Sequence, residues 1–585
     1  MALWISAAVF DLYAQWRLLS PPWISFFGDS TVSYLLTAYA LCGMVIGFLL
    51  YRIIRHRSHR WSLVLIIPLY VSLCSIFLGR AAHTSAFGFL LMGLTIGSAA
   101  LLGQILRNVH PHPVAGISIL VVLLPLLVRT ETSDGPTIKP AGMVRESPNV
   151  ILVTIDTLRP DRLGRWGYER SVTPGLDSLA SVGLVFTNVS APMPATAPSI
   201  ASLLTGCYPN AHGVRRNGWP FSNRVESLAS MLQHAGYETG AAVSVAHLAG
   251  EYGWNRGFQW FDNQGVYDRL FPYSGTHILR AIMRILPIRY ERRAEQSIRN
   301  AIHWLETTRG PFFLWLHLWD PHYPYMPPDA DGSMFSGKPN LPAGSAFSHD
   351  TLQTWIDGYD GEVQYTDRSL DSLWQWLRAS GRDSNTVVAV VSDHGESLGE
   401  RSYRGHSILL FEEQIRILFL VSAPMIPDLT GEISMPGSIV DVVPTVLGLL
   451  GMQAKPYSLD GMDLMLELKG QHLRNRPVYF ESDMWGFRCR GLRHGSWKLI
   501  VHDRINPGHP DFANPDAATR LETGTFLYDI STDPAELHDL STEKPGILAA
   551  LSDLLDSRPD TATASDDMWQ SPAMRKQLEE LGYVE

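Results

Sequence analysis

Two continuous β-branched runs, each followed by residue types that commonly bind metals, most constrain how this chain can fold. The first, Asn-Val-Ile-Leu-Val-Thr-Ile, leads to Asp156, and the second, Thr-Val-Val-Ala-Val-Val-Ser, leads to Asp393 and His394. Runs without polar alternation are typical of strands that are buried on both faces of a parallel sheet. Open sheets of this kind place their sites beyond the carboxyl ends of the strands. We therefore expect Asp156, Asp393 and His394 to meet at one edge of a sheet.

From residue 149 onward, short apolar runs alternate with helical patterns. We predict strands at 149–155, about 239–246, 311–318, 386–392 and 416–422. We predict helices at 198–205, 225–235, 294–306, 364–379 and 440–450. This alternation predicts an α/β fold in which a mainly parallel sheet is sandwiched by helices. After about residue 475 the segments become short, which predicts a small C-terminal antiparallel sheet, and helices close the chain beyond 545.

The first 129 residues contain several apolar stretches close to the roughly 20 residues that a membrane-spanning helix needs. We predict four spans, near 32–51, 62–79, 87–106 and 114–129, and leave open a fifth within 1–28. Four arginines crowd the first loop and should hold it in the cytoplasm: Arg52, Arg55, Arg57 and Arg60. Counting the spans then places residues 149–585 outside the cytoplasm of a bacterial plasma membrane, joined to the spans by a linker at 130–148.

The net charge of the chain limits which partners it can bind, and its cysteines limit which disulfides it can form. The net charge of −10 argues against nucleic acid as a partner. Of four cysteines, Cys42 and Cys74 lie in the apolar stretches, whereas Cys207 and Cys489 lie beyond them. The latter two could pair in an oxidising compartment, but two cysteines make no disulfide framework, and we expect free thiols.

Thr196 is the candidate nucleophile. It stands just ahead of a helix start, where Pro198 and Ser199 precede an apolar run. A helix that begins there would point unpaired backbone N–H groups and its positive dipole end at the Thr196 hydroxyl and at a bound anion. We therefore expect Thr196 to lie at the same edge of the sheet as the metal-type residues, that is, Asp156, Asp393 and His394.

Further candidates are three histidines and two arginines. The strand at 311–318 carries His317 to the predicted edge, His322 follows it, and His406 lies in Tyr-Arg-Gly-His-Ser. Arg215 and Arg216 offer guanidinium groups that could hold an anion through two hydrogen bonds. Each of these residues taken alone could be an ordinary surface or capping residue. Their occurrence together, in the expected places, indicates a site.

Five motifs stand in an order that resembles the sulfatase family of the alkaline phosphatase superfamily. They are Asn-Val-Ile-Leu-Val-Thr-Ile-Asp-Thr-Leu-Arg-Pro-Asp (149–161), Ala-Ser-Leu-Leu-Thr-Gly-Cys-Tyr-Pro-Asn (201–210), Asp-Pro-His-Tyr-Pro-Tyr (320–325), Ser-Asp-His-Gly-Glu (392–396) and Leu-Tyr-Asp-Ile-Ser-Thr-Asp-Pro-Ala-Glu (527–536). The resemblance spans about 149–545. It implies the α/β sandwich of that superfamily with a small C-terminal antiparallel sheet.

The resemblance does not imply the usual sulfatase nucleophile. Family sulfatases carry Cys or Ser in the pattern Cys/Ser-x-Pro-x-Arg and oxidise it to formylglycine, whereas this chain has Thr196 and, four residues later, Ile200. Oxidation of a threonine gives a ketone and no aldehyde. In this respect the chain is similar to the membrane-anchored, threonine-dependent relatives, the phosphoethanolamine transferases and lipoteichoic acid synthases. Those proteins combine membrane spans with an external, metal-dependent catalytic domain.

These features predict a metal-dependent enzyme. We expect Asp156, Thr196, Asp393 and His394 to hold a divalent cation, with Zn or Mn favoured over Ca because of the imidazole ligand. We expect Thr196, His322 and His406 to take part in catalysis, and we expect substrate binding by the following residues: His317, Arg215 and Arg216.

The leading hypothesis is a membrane-anchored phospho-ester transferase or hydrolase that acts on phosphorylated or sulfated lipids or glycans of the cell envelope, and two alternatives are left open. The first alternative is a sulfatase-like sulfuric ester hydrolase that works without formylglycine. The second alternative is an inactive envelope-binding protein, which the missing family arginine motivates and the full set of metal-type residues opposes.

Overall fold

The computed structural model describes residues 147–170, 173–221, 223–263, 292–328, 349–453, 457–468, 476–484, 486–506 and 522–558. The predicted membrane spans and nearly all of the predicted linker lie outside these residues. Within the described ranges, no helix combines the length and the apolar character that crossing a bilayer requires.

In the part of the chain that the structure describes, the main sheet contains nine strands. They are β1 (Asn149–Ile155), β2 (Leu184–Ser190), β3 (Glu238–Val243), β4 (Trp260–Asp262), β5 (Phe312–Leu318), β6 (Thr386–Ser392), β9 (Arg416–Ser422), β10 (Gly431–Ile433) and β11 (Gly437–Ser438). The two remaining strands of this region, β7 (Ser397–Leu398) and β8 (Arg404–Gly405), form a separate short pair. The order in the main sheet is β10-β2-β9-β6-β1-β5-β3-β4, and β11 also pairs with β2.

The sheet is mostly parallel, as predicted, but β9 is not. β1 lies between β5 and β6 and is parallel to both, and β3 is parallel to β5. β9, which we expected in the parallel sheet, is antiparallel to both β6 and β2. A continuous apolar run reports burial on both faces but not strand direction, so the sequence could not reveal this reversal.

Ten α-helices accompany the described strands. They are α1 (Pro174–Ser181), α2 (Thr196–Thr205), α3 (Pro209–His212), α4 (Leu228–His234), α5 (Ala294–Thr307), α6 (His349–Ala379), α7 (Glu412–Ile415), α8 (Val442–Leu449), α9 (Met465–Leu468) and α10 (Pro545–Asp556). α6 begins well before the predicted residue 364.

The two faces of the sheet are buried in two separate cores. Alternate residues of the central strands, such as Leu152, Ala389 and Val391, pack under α2, α4 and α8 on one face. The residues between them, such as Val153 and Val390, pack under α1, α5 and α6 on the other. Burial on both faces explains why β1 and β6 read as unbroken apolar runs.

The C-terminal region forms a four-stranded antiparallel sheet, as predicted. Its strands, in spatial and chain order, are β12 (Val478–Met484), β13 (Phe487–His494), β14 (Trp497–Arg504) and β15 (Gly524–Asp529). One face packs against Ala195 and the segment 408–415, and α10 covers the other. Cys207 and Cys489 are buried free thiols.

Candidate active site

The parallel pairing of β1 and β6 brings two carboxylates together. Ile155 pairs with Ser392 at the ends of these strands, so Asp156 and Asp393 leave the sheet side by side. His394 follows Asp393, and Thr196 opens α2 over the same edge. All four side chains are fully buried. The predicted edge of the sheet therefore collects these four residues.

The atoms of the four residues converge on one point. Thr196 Oγ1 lies 3.5 Å from Asp156 Oδ2 and 3.4 Å from His394 Nε2. His394 Nε2 lies 3.7 Å from Asp156 Oδ1 and 3.7 Å from Asp393 Oδ2. One ligand atom from each of Asp156, Asp393 and His394 lies within 4.8 Å of the others.

This cluster fits a divalent cation. Within the described part of the chain, Asp156 Oδ1 and Asp393 Oδ2 are buried and have no hydrogen-bond partner. Buried carboxylate oxygens are costly unless a cation or a donor compensates their charge. Burial, and next to it the charge of Asp393, raises the pKa of Asp156 well above its usual value. Two carboxylates and one imidazole are a common donor set for divalent transition metals.

Backbone groups orient the two residues that follow β6. Asp393 Oδ1 accepts hydrogen bonds from the N–H groups of Thr157 (3.1 Å) and His394 (2.8 Å), which leaves Oδ2 directed at the centre. His394 Nδ1 lies 2.9 Å from the carbonyl oxygen of Gly395. A proton on Nδ1 satisfies that contact and leaves the lone pair of Nε2 toward Thr196.

The turn after β1 is strained and locked. Thr157 has a φ of 55°, which is uncommon for a β-branched residue. The Tyr359 hydroxyl donates to the Thr157 carbonyl (2.8 Å) and accepts from the Arg159 N–H (2.9 Å). Strain of this kind persists where the surroundings fix it, often at functional sites.

The helix that carries Thr196 differs from the prediction in two respects. It begins at Thr196 itself, and not at Pro198, after an extended Ala195. The N–H of Ala197 is not free, because it donates to Asn217 Oδ1 at 2.8 Å, and Pro198 has no N–H. The expected row of unpaired N–H groups is therefore wrong for these two positions. Asn217, which the sequence reasoning missed, holds the helix start beside Thr196.

Histidines surround the cluster. The ring of His406 lies 4.5 Å from that of His394 and 5.0 Å from that of His322, measured between centroids. His406 Nδ1 lies 3.1 Å from Glu396 Oε1. Burial lowers the pKa of His406 well below its usual value, and burial and the neighbouring His406 lower the pKa of His322 to about 3. Both imidazoles are therefore neutral near neutral pH.

His317 faces the cluster from β5. Its Nδ1 lies 2.9 Å from Thr154 Oγ1, and its Nε2 lies 3.8 Å from Asp156 Oδ2. Among the residues described, none forms a hydrogen bond with this buried Nε2. Burial lowers the pKa of His317 to about 4. The structure therefore places a neutral imidazole against the metal-type carboxylate.

His247 is a further residue that the sequence reasoning missed. It follows β3, whose carboxyl end lies at the same edge of the sheet as those of β1 and β5. Burial lowers its pKa well below the usual value, and the charges of His317, His322, His394 and His406 act in the same direction. The rule that placed His317 at this edge would also have found His247.

The two candidate arginines differ. Arg215 Nη1 lies 3.0 Å from Glu481 Oε2 of β12, so a carboxylate already occupies it. Arg216 is half-buried, next in sequence to Asn217, and has no ion-pair partner within the described ranges. Within the described ranges, Arg216 is thus the one of the two whose charge no carboxylate compensates.

Comparison with known proteins agrees with this architecture. An ulvan-active sulfatase of Formosa agariphila is 28% identical over 362 residues, which is 57% of this chain and 66% of that protein, just under two thirds. Bovine arylsulfatase A is 27% identical over 457 residues, 68% of this chain and 85% of that protein.

Solved structures share the fold. The phosphonate monoester hydrolase of Agrobacterium radiobacter superposes with a TM-score of 0.54 at 20% identity, covering 70% of this chain and 95% of that one. Ps i-CgsB in complex with k-i-k-neocarrahexaose superposes with a TM-score of 0.55 at 21% identity, covering 74% and 99%. The family model described as sulfatase matches residues 148–452, more than half of the 585 residues. The chain belongs to the sulfatase family and is an ester hydrolase of the alkaline phosphatase superfamily.

Proposed function

We propose that this protein hydrolyses a sulfuric ester with the hydroxyl of Thr196 as nucleophile and without formylglycine. The observation that carries the proposal is the position of Thr196 Oγ1, 3.5 Å from Asp156 Oδ2 and 3.4 Å from His394 Nε2 at the first residue of α2. An alcohol in that position can share a cation with the three metal-type residues, and it needs no oxidation to act.

Asp156, Asp393 and His394 would hold the metal, with Thr196 as a further ligand. The imidazole favours Zn or Mn, and Ca with one histidine ligand is the alternative. When bound, a divalent cation would lower the pKa of the coordinated hydroxyl and offset the negative charge of the transition state.

The first step forms an ester of Thr196. Its Oγ1 attacks the sulfur, the bond between sulfur and the leaving oxygen breaks, and the freed alcohol takes up the proton that Thr196 loses. His322 and His406 are only partly buried beside His394 and are the candidates that carry this proton to the leaving oxygen. In the second step water attacks the sulfur, sulfate leaves, and Thr196 regains its proton.

The remaining site residues would bind the anion. His247 and His317 present buried imidazole nitrogens without hydrogen-bond partners in the described chain, and each can donate to an ester oxygen. Arg216 supplies the positive charge, because Ile200 stands where the family pattern has arginine.

We propose a sulfated glycan as the substrate class. Support comes from relatives whose names state such activities: the ulvan-active sulfatase and a Δ4,5-hexuronate-2-O-sulfatase of Bacteroides thetaiotaomicron, 22% identical over 477 residues. The location outside the cytoplasm, predicted from the N-terminal sequence, would give the site access to such polymers.

A second candidate is transfer or hydrolysis of a phospho-ester, including one on an envelope lipid. The chemistry of the nucleophile permits it, since a threonine hydroxyl can form a phospho-threonine as well as a sulfo-threonine. The fold shared with a phosphonate monoester hydrolase is consistent with this candidate.

One experiment separates these candidates and tests both. The metal-free protein is reconstituted with Mn²⁺, Zn²⁺ or Ca²⁺ in turn and given matched aryl sulfate, phosphonate monoester and phosphodiester substrates. High-resolution mass spectrometry of the Thr196 peptide after brief exposure identifies a sulfo or a phospho adduct. We expect Thr196→Ala to abolish turnover, whereas Ser199→Ala, which removes a buried hydroxyl bonded to the Met193 carbonyl, keeps it. Full activity of Thr196→Ala would overturn the proposal.

A further inference from the structure

The C-terminal motif Leu-Tyr-Asp-Ile-Ser-Thr-Asp-Pro-Ala-Glu ends in a buried carboxylate that the mechanism above does not use. After β15 the Asp529 carbonyl accepts hydrogen bonds from the N–H groups of Thr532 (3.1 Å) and Asp533 (2.8 Å), which closes a tight turn. The turn delivers Glu536, whose φ is 54° and whose side chain is fully buried. A buried charge is costly unless it is paired, so its partners define its role.

Glu536 joins the C-terminal sheet to α7. Its Oε2 accepts a hydrogen bond from the N–H of Glu412, the first residue of α7, at 2.7 Å. Its Oε1 lies 2.7 Å from Lys498 Nζ, and Lys498 Nζ lies 2.8 Å from Glu412 Oε1. Lys498 is fully buried on β14. These three residues, the 412–498–536 cluster, fix where α7 begins.

α7 in turn supports the segment that follows β6. The carbonyl of Gln414 accepts the N–H of Gly395 at 2.8 Å, and Gln414 Nε2 donates to Ser397 Oγ at 2.9 Å. The two backbones are in close contact, since a Cβ on Gly395 would lie 2.2 Å from the Glu413 carbonyl oxygen. Only glycine fits there, and any displacement of α7 must therefore shift the segment 393–397 as well.

Gly395 connects α7 to the metal-type residue His394. Its carbonyl oxygen lies 2.9 Å from His394 Nδ1 and so sets the orientation of the imidazole. Arg401 adds a second connection to the C-terminal motif, because it donates to the Ala535 carbonyl at 2.7 Å and pairs with Glu413. A continuous set of contacts thus leads from Glu536 to the ring of His394.

We infer that Glu536 is a positioning residue for the metal-ligand segment Asp393-His394, acting through α7 and Gly395. The C-terminal sheet is then a required part of the active site and not an appended lobe. This inference rests on the proposed metal site for its effect on metal affinity, but the contacts from Glu536 to Gly395 are independent of it.

The test compares the full-length protein in detergent with three variants. Glu536→Ala removes the contacts with the Glu412 N–H and with Lys498 Nζ, whereas Glu536→Gln keeps one acceptor for the Glu412 N–H. Leu555→Ala is the control, since it removes a buried contact between α10 and the outer face of the same sheet. Hydrogen–deuterium exchange of the peptide 393–398 reads the position of the segment, and calorimetry with Mn²⁺ reads metal affinity.

We expect faster exchange at 393–398 in both Glu536 variants, and an Mn²⁺ affinity about tenfold lower or worse in Glu536→Ala, as is usual for residues that orient metal ligands. Leu555→Ala should lower the unfolding temperature without changing either readout. If Glu536→Ala does not fold, the exchange at 393–398 and the Mn²⁺ affinity of Glu536→Gln decide whether the inference holds. Unchanged exchange, or changed exchange with wild-type Mn²⁺ affinity, would overturn the inference. If the wild-type protein binds no Mn²⁺, the proposed metal site fails, and exchange alone decides the positioning role.

Discussion

A threonine at position 196 places a secondary alcohol where the family pattern has cysteine or serine, and its neighbours decide what it can do. Its Oγ1 lies between Asp156 and His394 in a fully buried cluster. The residue types and the strand-end rule led to this cluster from sequence alone. Asn217 was missed because it acts through its place in the fold and belongs to no sequence pattern. His247 was missed although the strand-end rule, applied to β3, would have found it.

The first residue-scale prediction concerns the hydroxyl of residue 196. Thr196→Ser keeps the nucleophilic oxygen, so we expect kcat within about tenfold of wild type, whereas Thr196→Ala should lower it by about a thousandfold or more. Steady-state kinetics at fixed metal concentration measure both. The unfolding temperatures of the two variants serve as the folding control. Equal activity of the Ser and Ala variants would contradict the assignment.

The second residue-scale prediction concerns His212 and the stability of the folded protein at low pH. Its Nδ1 accepts the N–H of Val214 at 3.1 Å, its Nε2 lies 2.9 Å from Ser202 Oγ, and burial lowers its pKa to about 3. Between this value and the ordinary pKa of about 6.5, the unfolded state binds more protons than the folded state. The stability contributed by neutral His212 is therefore complete above the unfolded pKa and is lost as pH falls through this window.

We expect wild type to lose about 2 kcal/mol more stability than His212→Gln between pH 7 and pH 5, from this one group. Urea unfolding at the two pH values measures the difference. His303→Gln is the control, because that side chain is 85% exposed on α5. A pH dependence that is identical in wild type and His212→Gln would show that His212 is not the group involved.

At the scale of elements, the apolar runs predicted the five main strands and their burial, but not every partner. β2 escaped prediction because Thr187 and Asn188 interrupt its apolar pattern and are only half-buried. The reversed direction of β9 and the three-residue strands β4 and β10 depend on tertiary pairing, which no local pattern encodes. The start of α2 could not be predicted from a local pattern either, because its cap is the side chain of Asn217, which lies beyond the helix in sequence.

That cap gives the third prediction. Asn217→Ala removes the acceptor for the Ala197 N–H, and Ser227→Ala removes the side-chain cap of α4, which accepts the N–H of Ser230. We expect each change to lower the free energy of unfolding by about 1 kcal/mol. Only Asn217→Ala should also lower kcat, by about tenfold, because it loosens the helix start that positions Thr196. Chemical denaturation and kinetics on the same samples measure both effects. The idea fails if the two variants keep equal activity.

At the scale of the whole molecule, the cation should couple the active site to overall stability. Free carboxylate oxygens of Asp156 and Asp393 oppose folding until a cation compensates them. We expect Mn²⁺ at a hundred times its Kd to raise the free energy of unfolding by about 2.7 kcal/mol, and a chelator to reverse this. Asp393→Asn keeps the acceptor for the Thr157 and His394 N–H groups but loses the ligand oxygen, so its stability should not respond to metal. A metal response that persists in Asp393→Asn would place the cation elsewhere.

The last prediction concerns where the whole molecule works, and it follows from the N-terminal sequence alone. Apolar stretches near 32–51, 62–79, 87–106 and 114–129, with arginines crowded between the first two, predict a bundle of spans that leaves residues 149–585 outside the cytoplasm. The full-length protein expressed in a bacterium should stay in the membrane fraction after a carbonate wash. Protease added to intact spheroplasts should cleave the catalytic domain, while a cytoplasmic marker protein stays protected. Replacement of Arg52, Arg55, Arg57 and Arg60 by Gln removes the charge bias, so part of the population should invert and become protected. Complete protection of the wild-type domain would place the site on the cytoplasmic side and exclude extracellular glycans as its substrates.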